Sequence, residues 1–229
     1  MRVAVTTATD RAPSQIEALD RHGLEPVLLP CIQIHPGPGS ELERARSAWS
    51  TCDWMVLTSP RVVHILWPEG GMPDIRTAVV GSSTASSVEI AGGIVSVVGE
   101  RGAADLVMRL APQVPGRSVL FPHAAASDPG TITGFEAAGA RVTAIPVYEA
   151  RPVAPALDAV DAALFGSPSA IEGWCLSRSL DELLVAVIGA TTEDALARRG
   201  HAADVVATRP DFDALADAIH SHPTPRKVP

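Results

Sequence analysis

The chain has 229 residues, 46% hydrophobic and 19% charged, with 26 acidic against 18 basic side chains and a net charge of −8. That composition is globular and long enough for two small domains. The acidic balance, with no basic cluster, excludes a nucleic-acid partner, and no uninterrupted apolar run reaches membrane-spanning length.

In chain order, an apolar run over 3–6 predicts a strand, and polar Thr7-Ala8-Thr9-Asp10 follows. A helix is expected over 14–22, with Ile16 and Leu19 on one face and Gly23 as its stop, then a strand over 27–29. His35-Pro36-Gly37-Pro38-Gly39 is a break. A buried strand over 54–57 leads through Thr58-Ser59-Pro60 into a helix over 62–66, with serine as the natural cap and proline in the first turn. A strand over 78–80 runs into Gly81-Ser82-Ser83-Thr84, which opens a helix closed by Gly92. A strand over 95–98 and a helix over 105–110 complete this block.

A strand over 118–121, a polar loop, a helix ending before Gly139 and a strand over 142–145 repeat the order of the first segment. After a second break at Arg151-Pro152-Val153-Ala154-Pro155 come a strand over 162–165, Ser167-Pro168-Ser169 opening a helix over 170–176, and a strand over 185–188. Gly189-Ala190-Thr191-Thr192 then opens a helix closed by Gly200, followed by a strand over 204–207 and a helix over 211–219. The tail over 221–229, with three prolines and no periodicity, reads as mobile, and it contains Lys227. As Lys227 is the only lysine, a buried Schiff-base lysine and a phosphate-loop lysine are both excluded.

The chain repeats itself. Asp53 matches Asp161, Ser59 matches Ser167, Gly81 matches Gly189 and Gly92 matches Gly200, all at one offset; Gly23 matches Gly139, Pro30 matches Pro146 and Pro36 matches Pro152 at a second. One indel separates the two blocks, and the period is too long for a solenoid, so two duplicated domains are implied. Strands alternating with helices predict an α/β fold: two similar domains with parallel sheets flanked by helices. Both breaks fall inside a repeat. The chain is therefore expected to cross twice, giving a discontinuous domain of 1–34 and 156–229, a continuous domain of 40–148, and a two-stranded linker of 35–39 and 149–155. A cleft between the domains would be the natural site.

In such sheets ligands bind beyond the carboxyl ends of the strands, where helix N-termini present free amides. Those positions are Thr58-Ser59, Gly81-Ser82-Ser83-Thr84, Ser167-Pro168-Ser169 and Gly189-Ala190-Thr191-Thr192. Each is also an ordinary helix cap, and it is their duplication that raises them above capping. The seven histidines show no metal-ligand spacing with cysteine or carboxylate, no Gly-x-Gly-x-x-Gly turn marks a nicotinamide cofactor, and Ser59 and Ser167 lie in no Gly-x-Ser-x-Gly elbow. No metal and no cofactor are expected. Tyr148, the only tyrosine, ends a strand in Pro146-Val147-Tyr148-Glu149. A phenol is protonated at neutral pH and can donate to a departing hydroxyl; packing at the hinge is the other role open to it. Cys31, Cys52 and Cys175 are an odd number without close pairing, which fits reduced thiols, and the N-terminus shows no apolar leader, so a soluble cytoplasmic protein is expected.

Together these residues resemble the uroporphyrinogen-III synthase family: the strand with Thr58-Ser59-Pro60, the Val80-Gly81-x-x-Thr84-Ala85 run, the Pro-Val-Tyr strand end at Tyr148, the Phe165-x-Ser167-Pro168-Ser169 run, and Ile188-Gly189-x-Thr191-Thr192, in order over almost the whole chain. The resemblance implies two α/β domains joined by a two-stranded ladder. It also implies a cofactor-free lyase, a monomer, that cyclises hydroxymethylbilane, a linear tetrapyrrole polycarboxylate, to uroporphyrinogen III with the last ring inverted through a spiro intermediate. Under it Tyr148 assists loss of the hydroxyl, Thr84 and Thr192 line the cleft, and Thr58, Ser59, Gly81, Ser82, Ser83, Ser167, Ser169, Gly189 and Thr191 bind substrate. Two loops depart from the family, which usually carries arginine after the first strand: Thr6-Thr7-Ala8-Thr9 and His123-Ala124-Ala125-Ala126-Ser127-Asp128. Those departures leave open a non-catalytic relative that binds a tetrapyrrole or another polyanion. A periplasmic-type binding protein would need an export signal.

Overall fold

A computed structural model describes residues 1–181, 183–209 and 211–222. The tail expected to be mobile lies, from Pro223 onward, outside the described residues. The chain runs β1 (Arg2–Val5), α1 (Ala12–Arg21), β2 (Glu25–Leu28), β3 (Ile32–Pro36), α2 (Gly39–Ser47), β4 (Trp54–Leu57), α3 (Pro60–Leu66), β5 (Arg76–Val80), α4 (Gly81–Ile90) and β6 (Ile94–Gly99). It continues with α5 (Ala103–Leu110), β7 (Ser118–Ala124), α6 (Gly130–Ala137), β8 (Arg141–Pro152), β9 (Ala162–Phe165), α7 (Pro168–Trp174), β10 (Leu184–Val187), α8 (Ala190–Ala197), β11 (Val205–Val206) and α9 (Phe212–Ser221). It divides into two compact units, Met1–Ile34 with Arg151–Pro229, and His35–Ala150.

The first unit has a parallel sheet in the order β11-β10-β9-β1-β2. Its inner strands β1, β9 and β10 are buried on both faces, as the nearly continuous apolar runs predict. Val3, Val5, Leu164 and Ala186 pack with α1 and α9 through Leu19, Leu215 and Ile219. Ala4, Ala163, Phe165, Val185 and Val187 pack the other way, with Ile171 and Trp174 of α7 and Leu196 of α8. Each large apolar side chain so placed contributes about 1.5–3 kcal/mol. One contact is unusually close. A β-carbon on Gly173 of α7 would overlap the Cys31 carbonyl oxygen and stand 2.7 Å from that of Val153, so only glycine lets the helix rest there. Cys31 itself is fully buried, and burial pushes its thiol up to about 12.

The second unit's sheet has the order β3-β8-β7-β4-β5-β6. From β8 to β6 every pairing is parallel. Trp54, Val56, Val119 and Phe121 pack with Leu106 and Leu110 of α5 and Phe135 of α6. Met55, Leu57 and Leu120 alternate to the other face and are fully buried. At the amino ends Asp53 accepts from the Ser118 amide at 2.8 Å and Arg117 at 3.2 Å, which hold its carboxyl below the usual range. Its repeat partner Asp161 accepts from the Arg2 amide at 2.9 Å, the same tie in the first unit. Burial would push the Asp105 carboxyl up, but Arg101 at 3.2 Å, the Glu100 amide at 2.9 Å and Arg109 at 2.9 Å hold it below its ordinary value.

Three features differ from the sequence reading. The break over 35–39 is taken up by β3 and the start of α2. Pro36 is tolerated because β3 is an edge strand whose outer amides need no partner. β8 runs to Pro152 rather than ending at 145, and β3 and β8 both extend across the boundary between the units. Gly37 donates to the Val147 carbonyl and Val153 to that of Cys31, a register that runs in opposite senses and marks an antiparallel pair. Helix α2 carries no apolar stripe, and of its residues only Ala45 is buried. It is held instead by the Arg44–Glu41 pair at 3.0 Å and by Arg46, whose Nε donates to the last-turn carbonyl of Leu66 at 2.8 Å.

Candidate functional site

The first unit's strands, numbered within the unit, have the order 2-1-3-4-5, and the second shows the same order as β8-β7-β4-β5-β6 when β7 and β8 are counted as its first and second strands. In this arrangement the direction of strand progression reverses between β1 and β9 in one unit and between β7 and β4 in the other, and ligands bind beyond the carboxyl ends at that reversal. The predicted site residues fall on the strands at that reversal or on the next strand out, in two sets, one per unit.

In the second unit Ser59 ends the β4 turn and caps α3, its hydroxyl accepting from the Arg61 amide at 3.3 Å. Thr58, beside it, is half-buried. The neighbouring strand β5 delivers Gly81, whose φ of +76° is the left-handed conformation that favours glycine. Helix α4 then opens with no side-chain cap, Ser82 and Ser83 exposed and Thr84 only 2% exposed. Adjacent strands lie about 4.8 Å apart, so these two openings are neighbours. Tyr148 lies on β8, two strands from β4 and roughly 10 Å away by that spacing. A register shift in the β7–β8 pair sets Tyr148 opposite Ala124, which explains why consecutive Val147 and Tyr148 are both buried. Tyr148 is 7% exposed, its carbonyl accepts from Ala125 at 2.8 Å, and among the described residues none bonds its hydroxyl.

In the first unit Ser167 precedes α7 without capping it; its hydroxyl lies 3.1 Å from that of Ser169. Gly189 is extended rather than left-handed, and α8 also opens without a side-chain cap. Thr191 is exposed and Thr192 is 3% exposed, as deeply placed as its counterpart Thr84. Uncapped helix starts leave amide donors and roughly half a positive charge facing outward. Such ends accept carboxylates without arginine.

The loops that lack arginine are organised differently. Thr6 is fully buried, donating from Oγ1 to the Leu164 carbonyl at 2.6 Å, so it ties β1 to β9 instead of facing a ligand. His123, at the end of β7, is 8% exposed and stacks on Phe121 with ring centroids 4.9 Å apart. Its Nδ1 lies 2.7 Å from the Ala124 carbonyl and 2.7 Å from the Ser127 hydroxyl. Sequence reasoning missed this pair, because a histidine four residues from a serine in an alanine-rich loop carries no spacing signal; its place at the end of an inner strand was the available clue.

These features define a duplicated, doubly wound α/β protein with hydroxyl-lined, uncapped helix starts at its strand ends. A family model described as Uroporphyrinogen-III synthase HemD matches residues 14–217. The chain belongs to the uroporphyrinogen-III synthase family. It is 27% identical to the chloroplastic uroporphyrinogen-III synthase of Oryza sativa subsp. japonica over 258 residues, covering 99% of this chain and 83% of that protein. Its fold matches that of uroporphyrinogen-III synthetase from Helicobacter pylori, with a TM-score of 0.67 at 17% identity over 93% of this chain and 95% of that one. It also matches a mutant uroporphyrinogen III synthase from the extremely thermophilic bacterium Thermus thermophilus, with a TM-score of 0.61 at 18% identity over 96% and 97%. The family and the rice relative favour an enzyme over the binding-only reading. Among the described residues no helix is long and apolar enough to cross a membrane.

Proposed function

We propose that the protein is a cyclising hydro-lyase that converts hydroxymethylbilane to uroporphyrinogen III as a monomer in the cytoplasm. The observation that carries this reading is the family match over residues 14–217. The substrate brings its own leaving group and electron-rich pyrroles. Its terminal hydroxyl departs as water, taking up a proton and leaving an azafulvenium cation. The substituted carbon of the last ring attacks to give a spiro intermediate, which fragments and recloses with that ring inverted, releasing a proton. The protein's task is to hold a flexible chain in the geometry that favours the inverted closure.

Tyr148 donates to the departing hydroxyl; its buried ring and hydroxyl free of described partners support that role. Thr84 orients the reacting end, with Thr192 in the equivalent place on the other unit. The uncapped openings of α4 and α8, with Gly81, Ser82, Ser83, Gly189 and Thr191, bind carboxylates together with Thr58, Ser59, Ser167 and Ser169. Three cysteines that form no disulfide fit a reducing compartment.

The test is a coupled assay in which an upstream deaminase supplies hydroxymethylbilane and the oxidised products are resolved as isomers I and III. Predominant isomer III is expected. Tyr148→Phe should lower kcat by about 10²-fold, the scale of one general acid, and the double variant with Thr84→Ala should lose more. Isomer I at the spontaneous rate from the wild type would end the enzyme reading, and full activity in the double variant would end the assigned roles.

A further inference from the structure

His123 is the only basic side chain between Arg117 and Arg141, on the strand that borders the sheet's reversal point. Its Nδ1 has two oxygen neighbours at 2.7 Å. A backbone carbonyl can only accept, so Nδ1 carries a proton that the Ala124 carbonyl and the Ser127 oxygen share. Stacking on Phe121 fixes the ring plane. The second nitrogen, Nε2, has no hydrogen-bond partner among the described residues. A ring this well anchored through one nitrogen, with the other left for an incoming group, is built as a ligand contact rather than as core filling. The nearest acid in its loop is already engaged: Asp128 accepts from the Gly130 amide at 2.9 Å.

We propose that His123 is a substrate-binding residue whose Nε2–H donates to a carboxylate of the tetrapyrrole, and that Ser127 is the positioning residue that orients its ring. The ring stands beside Tyr148, which the β7–β8 register sets opposite the adjoining Ala124. The inference rests on the proposed function only for the identity of the polycarboxylate.

Two substitutions separate binding from structure, because asparagine replaces the Nδ1 donor alone and glutamine places its amide nitrogen near the Nε2 position. The probe is uroporphyrin III, the stable oxidised product, titrated against wild type, His123→Asn, His123→Gln and Ser127→Ala by fluorescence, in parallel with KM and kcat for hydroxymethylbilane. His123→Asn should weaken uroporphyrin binding by about tenfold, the loss of one charge-assisted hydrogen bond, with the effect on turnover in KM rather than kcat. His123→Gln should recover most of it, and Ser127→Ala should weaken binding by about threefold. A purely structural histidine predicts the reverse order, with asparagine tolerated and glutamine harmful. That order, equal loss in both variants, or no binding of uroporphyrin by the wild type would overturn the proposal. If the wild type yields only isomer I, the synthase reading fails on its own, and the uroporphyrin titration still decides His123.

Discussion

The two units share strand order and helix-opening sequences but bond them differently. The Ser59 hydroxyl accepts from the amide of Arg61, whereas that of its counterpart Ser167 faces the hydroxyl of Ser169 and leaves α7 without a side-chain cap. Gly81 adopts a left-handed φ of +76°, whereas Gly189 is extended. Where the second unit has Ile65, the first has Gly173 against the Cys31 carbonyl. At the positions matching Tyr148 and His123 the first unit has Ile32 and Thr7. The scaffold thus follows from the repeated pattern of apolar runs and turns. Single side chains decide which hydroxyls and amides at those strand ends are already engaged.

Substitutions can break this comparison in order of effect. Gly173→Ala should destabilise by roughly 3 kcal/mol or more, since the added carbon meets backbone and the helix must move away; Ile65→Ala at the matched position should cost far less. Urea midpoints for the two variants check this, and equal losses would show that the close approach does not matter. Next come the paired serines. Ser59→Ala should lower stability by about 1 kcal/mol through the lost cap and raise KM as well. Ser167→Ala should leave stability near wild type and raise KM several-fold, about 1 kcal/mol of binding. A stability loss in Ser167→Ala equal to that in Ser59→Ala would erase the distinction.

The smallest effects concern pH and sharpen the contrast at opposite ends of the scale. Asp53 and Asp105 in the second unit have carboxyls held below their ordinary value. Their stabilisation is present above the unfolded value of about 4 and is lost as pH falls through the lowered folded value. Cys31 in the first unit has its thiol raised to about 12. Its contribution is present below the unfolded value of about 8.5 and declines as pH rises from there toward 12. Melting temperatures measured from about pH 3 to about pH 10.5 should therefore fall at both ends. Asp105→Asn should flatten the acid limb alone, and Cys31→Ala the alkaline limb alone.

Much of this architecture was legible from spacing. The strands at 54–57 and 162–165 stand where the apolar runs put them, because a strand buried on both faces announces itself as an unbroken run. Helix α2 escaped because its support comes from ion pairs and from Arg46 reaching another helix, and none of these leaves an apolar period. β3 escaped because proline reads as a break until the sheet shows it at an edge. Among the proposed site residues, Ser59, Ser167, Thr84 and Thr192 stand out through duplication. His123 was not, having no basic counterpart in the other repeat.

By itself the sequence determined the duplication, the alternation of strands and helices, and the positions of the hydroxyl-bearing helix starts, since all three depend on local periodicity and turn chemistry. Only the tertiary structure decided which hydroxyls are engaged in caps, why position 173 must be glycine, and that Thr6 turns inward. It also decided that His123 is anchored through one nitrogen with the other left over. Each of these depends on which backbone oxygen comes to lie beside a side chain, and that is settled by how strands and helices pack rather than by their order along the chain.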